Sequence, residues 1–228
     1  MPKIKISNTR EPNTQKTEES MLKKLKQEER EIRRNLIIDA AQKIFGIKTY
    51  DRTSMREIAK EAGMAVSSIY TYFENQETLF VQASLRETNV LLDELESMVS
   101  RESEINIEQF MNRYLDFYID HENHWRMITH FFLFGNISQE ASRRINKVAR
   151  RILNVFDTIF EKMHYAGDVR LLSHTFFSCL SGILISFRKY PGRDDDEIRE
   201  HMKRIAGMVR KMLMLYIDAD LLTAKKSS

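Results

Sequence analysis

Between Thr53 and Phe73 the apolar positions fall into two short helical sets separated by one glycine. Met55, Ile58, Ala59 and Ala62 recur at helical spacing and give a first helix one apolar face. Ser54 stands before it, and Glu57 follows three residues on, the spacing of a capping box. Gly63 can take the left-handed conformation that stops the helix. Val66, Ile69, Tyr70 and Phe73 form the second set. Ile58 and Ile69 are placed to lock the two helices at a steep angle, a helix-turn-helix whose second helix enters the major groove of DNA.

Helical patterning extends both ways from this stretch. Upstream, Ile37 to Phe45 is amphipathic. Leu22, Leu25, Ile32 and Leu36 keep an approximate helical repeat, so the first helix is expected to begin near Ser20. Residues 1–19 are polar, with Pro2 and Pro12, and are expected to be a disordered tail. Downstream, a helix is expected from Asn75 to about Met98. Ile105-Asn106-x-x-Gln109-Phe110 is a strong start signal for another, which buries Phe110, Met111, Tyr114, Leu115, Phe117 and Tyr118. A short aromatic helix follows from His124 to about Phe134, then one from Ser138 to about Tyr165, with Ala166-Gly167 as a break.

Two seams close the chain. From residue 168 to about 190, Leu171, Thr175, Ser178, Gly182 and Ile185 are spaced alternately by four and three. After Pro191-Gly192, the acidic run Asp194 to Glu197 sits where the macrodipole of a final helix favours negative charge. There Ile198, Met202, Ile205, Val209, Met212 and Tyr216 alternate in the same way. Such spacing signals helix-on-helix packing, either against the chain's own core or against a second copy. No strand alternation of any length is present. The expected class is all-α with about nine helices: a tail at 1–19, a helix-turn-helix domain at 20–74 and a helical bundle at 75–228.

The net charge is only +3, but its distribution is uneven. Residues 1–73 hold 15 Lys and Arg against 10 Asp and Glu, a surplus of five positive charges. The remainder holds 21 against 23, a surplus of two negative. A basic front on a near-neutral body suits a nucleic-acid-binding head. The basic stretch from Lys23 to Arg34 reads equally as a solvated helix or as an arm on phosphates. The single cysteine, Cys179, lies in an apolar stretch, which points to a packing residue and a reducing compartment. The N-terminus lacks the apolar core of a signal peptide, and no run approaches the ~20 apolar residues of a membrane span, so a cytoplasmic protein is expected.

The Ala-Ala-x-x-x-Phe at 40–45, the Thr-Ser-x-x-x-Ile-Ala at 53–59 and the Ile-Tyr-x-Tyr-Phe at 69–73 carry a specific resemblance. From Ile37 to Phe80 the chain resembles the DNA-binding domain of the tetracycline-repressor-like (TetR) family of bacterial regulators. It departs from that pattern at Thr49, Ala65, Ser67 and Gln76, the last in place of a lysine that commonly touches phosphate. The start of the recognition helix, residues 64 to 68 with Ala65, Val66 and Ser67 among them, is expected to point at base edges, as the N-terminal residues of such a helix do, with Thr71 a second candidate. The resemblance implies backbone contacts from Thr53, Ser54, Ser68, Tyr70 and Tyr72, with Arg56 and Gln76 nearby. Tyr70 lies on the apolar side and reads equally as a core aromatic. The family further implies homodimerisation through the last two helices, a palindromic operator in double-stranded DNA, and a small lipophilic effector whose binding releases a repressor. Tyr114, Phe117, Tyr118, Met127, His130, Phe131, Phe134, Phe176 and Phe177 are the candidate effector residues, although each alone reads more simply as core.

Little points to catalysis. His121-x-x-His124 and Glu161-x-x-His164 have ligand-like spacings, but a di-iron site needs a second Glu-x-x-His, and none is present. Phosphate-cradling glycine loops and nucleophile elbows are lacking. No metal, no cofactor and no enzyme activity are expected. The rival reading is a helical lipid- or cofactor-carrying bundle with a vestigial helix-turn-helix, and DNA binding separates the two.

Overall fold

The computed structural model describes the backbone of residues 12–101, 104–134 and 137–226, and the side chains of 17–101, 104–130 and 137–220. Among the described residues there are nine α-helices and no strand. They are α1 (Pro12–Ile47), α2 (Met55–Glu61), α3 (Val66–Tyr70), α4 (Gln76–Arg101), α5 (Ile107–Asp120), α6 (Glu122–Phe134), α7 (Gln139–Lys162), α8 (Val169–Phe187) and α9 (Asp195–Lys226). A 3-10 turn at Tyr50–Arg52 joins α1 to α2.

Helix starts are set by local chemistry. The Asn106 side chain accepts from the Gln109 amide at 3.0 Å, Ser138 from Ala141 at 3.2 Å, and Asp168 from Leu171 at 2.9 Å. Each satisfies an amide that the first turn leaves without a helical partner. α1 already begins at Pro12, eight residues ahead of Ser20, so the helix enters the stretch expected to be a tail. Proline at a first helical position loses no helical hydrogen bond. Beyond it the polar helix is laced by pairs one turn apart, Glu29 with Arg33 at 2.8 Å and Lys24 with Glu28 at 4.0 Å.

Two cores result. The first gathers Ile37, Ala41 and Phe45 of α1, Ile58 of α2, Ile69 of α3 and Phe73. It also takes Leu79, Phe80 and Ala83 from α4 and Met127 from α6, so the head's core crosses the boundary expected at residue 75. The second core is built on Leu91 to Val99 of α4, the aromatic face of α5, Phe156 and Phe160 of α7, Phe176 and Leu180 of α8, and Met202 and Leu213 of α9. α4 therefore belongs to both cores. So does α6, whose Met127 enters the head while Trp125, two residues earlier, enters the body. α1 and α6 meet at Gly46, where a Cβ would overlap the Asn123 side chain.

α8 corrects one expectation. It is 19 residues long and apolar enough, by length and composition, to cross a membrane. Here one side of it, with Leu172, Phe176, Leu180 and Leu184, packs into the bundle.

Candidate nucleic-acid interface

The reader is assembled from α2, a tight turn and α3. Ser54 Oγ accepts from the Glu57 amide at 3.3 Å, and Glu57 Oε2 accepts from the Ser54 amide at 3.0 Å, closing the capping box. Lys48 beside it, and then the Ser54 hydroxyl, hold the Glu57 carboxyl below its usual range. Gly63 adopts φ 65°, the left-handed geometry a Cβ resists. Ile58 and Ile69, both at 0% exposure, lock α2 to α3. Ala65 caps α3 with no side-chain bond.

With Ile69 inside, the rest of α3 is presented outward. Ser67, Tyr70 and Thr71 are exposed, and Val66, Ser68 and Tyr72 are half-buried. Tyr70 is 52% exposed, which corrects the core-aromatic alternative: Ile69 alone takes the inward position on so short a helix. Thr71 Oγ1 donates to the Ser68 carbonyl at 2.7 Å, which commits its proton and leaves its lone pairs. Thr53 sits behind this surface, buried, with Oγ1 donating to the Thr49 carbonyl at 3.1 Å. Gln76 Nε2 donates to the Tyr50 carbonyl at 3.0 Å and ties the start of α4 to the 3-10 turn. Arg52, Arg56 and Lys60 are exposed on the flank of α2.

The candidate effector residues are not gathered into one place. Tyr114, Phe117 and Tyr118 are buried in the body's core. There Tyr114 bonds to Tyr118 and Ser181, and burial pushes its pKa up to about 12. Met127 is in the head's core, and His130 lies 5.4 and 5.3 Å from the rings of Tyr50 and Phe80. Phe176 is buried and Phe177 half-buried in the body. The side chains of Phe131 and Phe134 lie outside the described residues. A groove of about 610 Å³ opens between α8 and α9, lined by Leu171, Thr175, Phe176, Cys179, Met212 and Tyr216, so that its rim is part of the two seams.

Two polar residues at the centre of the molecule had no signal in the spacing. Arg188 is 1% exposed, and its guanidinium donates to the carbonyls of Ile119 at 2.7 Å and Tyr118 at 3.3 Å while pairing with Asp195 at 3.1 Å. It thereby closes the end of α5 against α8 and α9. His124 is buried where α4, α5 and α6 meet. Among the described residues no group of three or more potential ligands is placed to hold a metal ion.

Comparison with known proteins agrees with this geometry. Residues 37–83 match the family model for bacterial regulatory proteins of the tetR family. Over 134 residues the chain is 22% identical to the fatty acid metabolism regulator protein of Bacillus subtilis (strain 168), spanning 59% of this chain and 69% of that one. Over 77 residues it is 39% identical to the HTH-type transcriptional regulator AcrR of Shigella flexneri, spanning 33% and 35% of the two chains. The solved structure of FadR from Bacillus subtilis in complex with stearoyl-CoA shares the fold, with a TM-score of 0.60, 20% identity and coverage of 75% of this chain and 95% of that one.

Proposed function

We propose that the chain is a DNA-binding transcriptional regulator of the tetR kind, a homodimeric repressor that leaves a palindromic operator when an apolar effector binds. The observation that carries the reading is the locked α2–turn–α3 unit, with Ser67, Tyr70 and Thr71 outward on a basic head. The start of α3 reads bases, Val66 against a thymine methyl and Ser67 by hydrogen bonding. Tyr70, Tyr72 and Arg56 hold the backbone without reading sequence.

Dimerisation is assigned to α8 and α9. Leu171 and Ile185 are 63% and 46% exposed on the α8 seam, and Thr175, Ser178 and Gly182 between them are exposed as well. On α9 the seam divides: Ile198 and Met202 are buried in the chain's own core, while Met212 and Tyr216 are 66% and 55% exposed. An apolar strip of this kind on two adjacent helices is what a helix-on-helix interface covers.

The effector is proposed to enter the aromatic interior of the body, and a long acyl chain is the first candidate, since the FadR structure holds stearoyl-CoA. That interior is packed around Tyr114, Tyr118 and Phe176, so a ligand must spread α5 to α8 to enter. α4 and α6 sit in both cores and carry the displacement to the heads. A ligand that prefers another head separation weakens DNA binding, and DNA weakens ligand binding by the same factor.

The test is selection of bound duplexes from a random pool at near-physiological salt, with and without stearoyl-CoA. The expected result is an enriched palindrome whose recovery falls when stearoyl-CoA is present. Binding without enrichment, or no binding, overturns the regulator reading; an enriched palindrome indifferent to stearoyl-CoA overturns the acyl effector alone.

A further inference from the structure

α1 is far longer than the head requires. Its contribution to the head's core begins at Ile37, and Arg34 is the first half-buried position, so residues 12–33 run ahead of that core as a helical arm about 33 Å long. Residues 17–33 are exposed throughout. At 100° per residue the arm has two distinct sides. Met21, Leu25, Ile32 and Leu36 form one stripe, turned away from the head. Lys23, Lys26 and Arg30 continue the opposite side, the one that further along carries Ile37 and Ala41 into the core.

This basic side reaches the end of the recognition helix. The Arg30 guanidinium lies 5.6 Å from the centroid of the Tyr72 ring, and Arg34 lies 5.5 Å from that of Phe73. A cleft of about 550 Å³ runs between arm and head, lined by Lys23, Lys26, Arg30 and Arg33 with Tyr72, and Glu29 is the single carboxylate in it. Glu29 is engaged by Arg33 at 2.8 Å. Among the described residues no carboxylate stands within ion-pairing distance of Lys23, Lys26 or Arg30, whereas Lys24 is paired with Glu28. These three cations are therefore free to meet an anion, and they gather on the one side of the arm that faces the Tyr72 ring just beyond α3.

We propose that the arm is a second DNA-contacting element, in which Lys23, Lys26 and Arg30, with the Tyr72 hydroxyl, hold backbone phosphates flanking the bases read by α3. The inference rests on the DNA-binding reading of the head and extends its footprint. Because the contacts are to phosphate, they add affinity and fix orientation without adding sequence preference. A membrane surface is the other polyanion such a helix meets. There the cations would flank the apolar stripe and face the headgroups with it; here they oppose it and face α3.

The experiment compares the full chain with the triple variant Lys23→Gln, Lys26→Gln, Arg30→Gln on one duplex that binds the unaltered protein. Affinity is measured between about 50 and 200 mM salt. Three lost phosphate contacts make the log–log salt slope shallower by about 2.7 per head, a difference of about 40-fold across that range for each head. The control Lys24→Gln leaves the slope unchanged. Circular dichroism checks folding, and because the altered residues lie on an exposed helix the spectrum is expected to be unchanged. Equal slopes for the full chain and the triple variant, in a protein that binds its operator, overturn the arm and spare the regulator reading. Loss of binding to anionic phosphatidylserine vesicles in the triple variant, with operator binding unchanged, assigns the basic face to membranes and also overturns it. Failure of the unaltered chain to bind any duplex removes both readings together.

Discussion

His124 provides a sharp test of how the head–body junction is built. Its ring is 4% exposed, lies 5.6 Å from Tyr118 in a stacked arrangement, and meets Phe117 edge-on. Nε2 is 3.2 Å from the Thr88 hydroxyl, while Nδ1 is buried with no hydrogen-bond partner. Burial, with a smaller push from the His121 charge, lowers its pKa to about 3. The unfolded chain binds this proton near about 6.5, so below that value the unfolded state holds more protons than the native one. The contribution of the neutral ring is therefore complete above about pH 6.5 and is lost progressively as pH falls toward about 3. A full proton of difference costs about 1.4 kcal/mol per pH unit, and the unfolded imidazole is half-protonated at its own pKa, so the junction loses about 2 kcal/mol between about pH 6.5 and about pH 4.5. His124→Phe keeps the ring packing and removes both the titration and the orphan nitrogen, and Thr88 retains its bond to the Ser84 carbonyl at 3.3 Å. Urea unfolding of both proteins at about pH 7 and about pH 4.5 isolates the term, because carboxylate titration is common to both. The wild-type chain is expected to lose about 2 kcal/mol more than the variant. Equal losses would refute the buried neutral imidazole.

Further outcomes follow from named residues. Arg188→Ala leaves the carbonyls of Tyr118 and Ile119 buried without their donor and is expected to destabilise by about 3 kcal/mol in denaturant titration. Ser54→Ala removes one side of the capping box and should cost about 1 kcal/mol, read from the same titration. Leu171→Glu combined with Met212→Glu places charge on both exposed seams, and sedimentation should show a folded monomer that binds the full operator weakly. Ser67→Ala is expected to change the bases recovered in duplex selection, whereas Tyr72→Phe should lower affinity for all duplexes alike.

What was legible in the chain was what is decided within one helical turn. The starts at Ser54, Asn106, Ser138 and Asp168 need only a side-chain acceptor and an amide three residues on. The turn at Gly63 needs only a missing Cβ. The early start of α1 was hidden because a polar helix has no apolar period to display, and intrahelical ion pairs are visible only as charge. Among the described residues, aromatic density marks depth of burial. It cannot separate Met127, which packs in the head, from Tyr118, which packs in the body. Arg188 and His124 were hidden for a related reason. Their neighbours Asp195 and Thr88 come from other helices, and only tertiary packing sets how deep each polar group lies.

The seam and the reader bear on each other. Positions 64 to 73 hold no Arg, Asn or Gln, the residues that make bidentate base contacts. With positions 64 to 73 limited to a half-buried valine, short hydroxyls and two tyrosines among their non-core side chains, one head is expected to discriminate between sequences only weakly. A phosphate-holding arm raises affinity for every duplex equally and so cannot repair this. Two heads at a fixed separation can, because well-separated base contacts add in free energy and their discrimination factors multiply. In the proposed dimer the exposed face of α8 and the outer half of α9 would matter to sequence reading as much as α3 does, because they would set the distance at which two weak readers act as one. Under the proposed function an effector in the body would release the operator without touching the head. It would need only to alter the separation for which the pair is matched, and α4 and α6, rooted in both cores, are placed to transmit such a change.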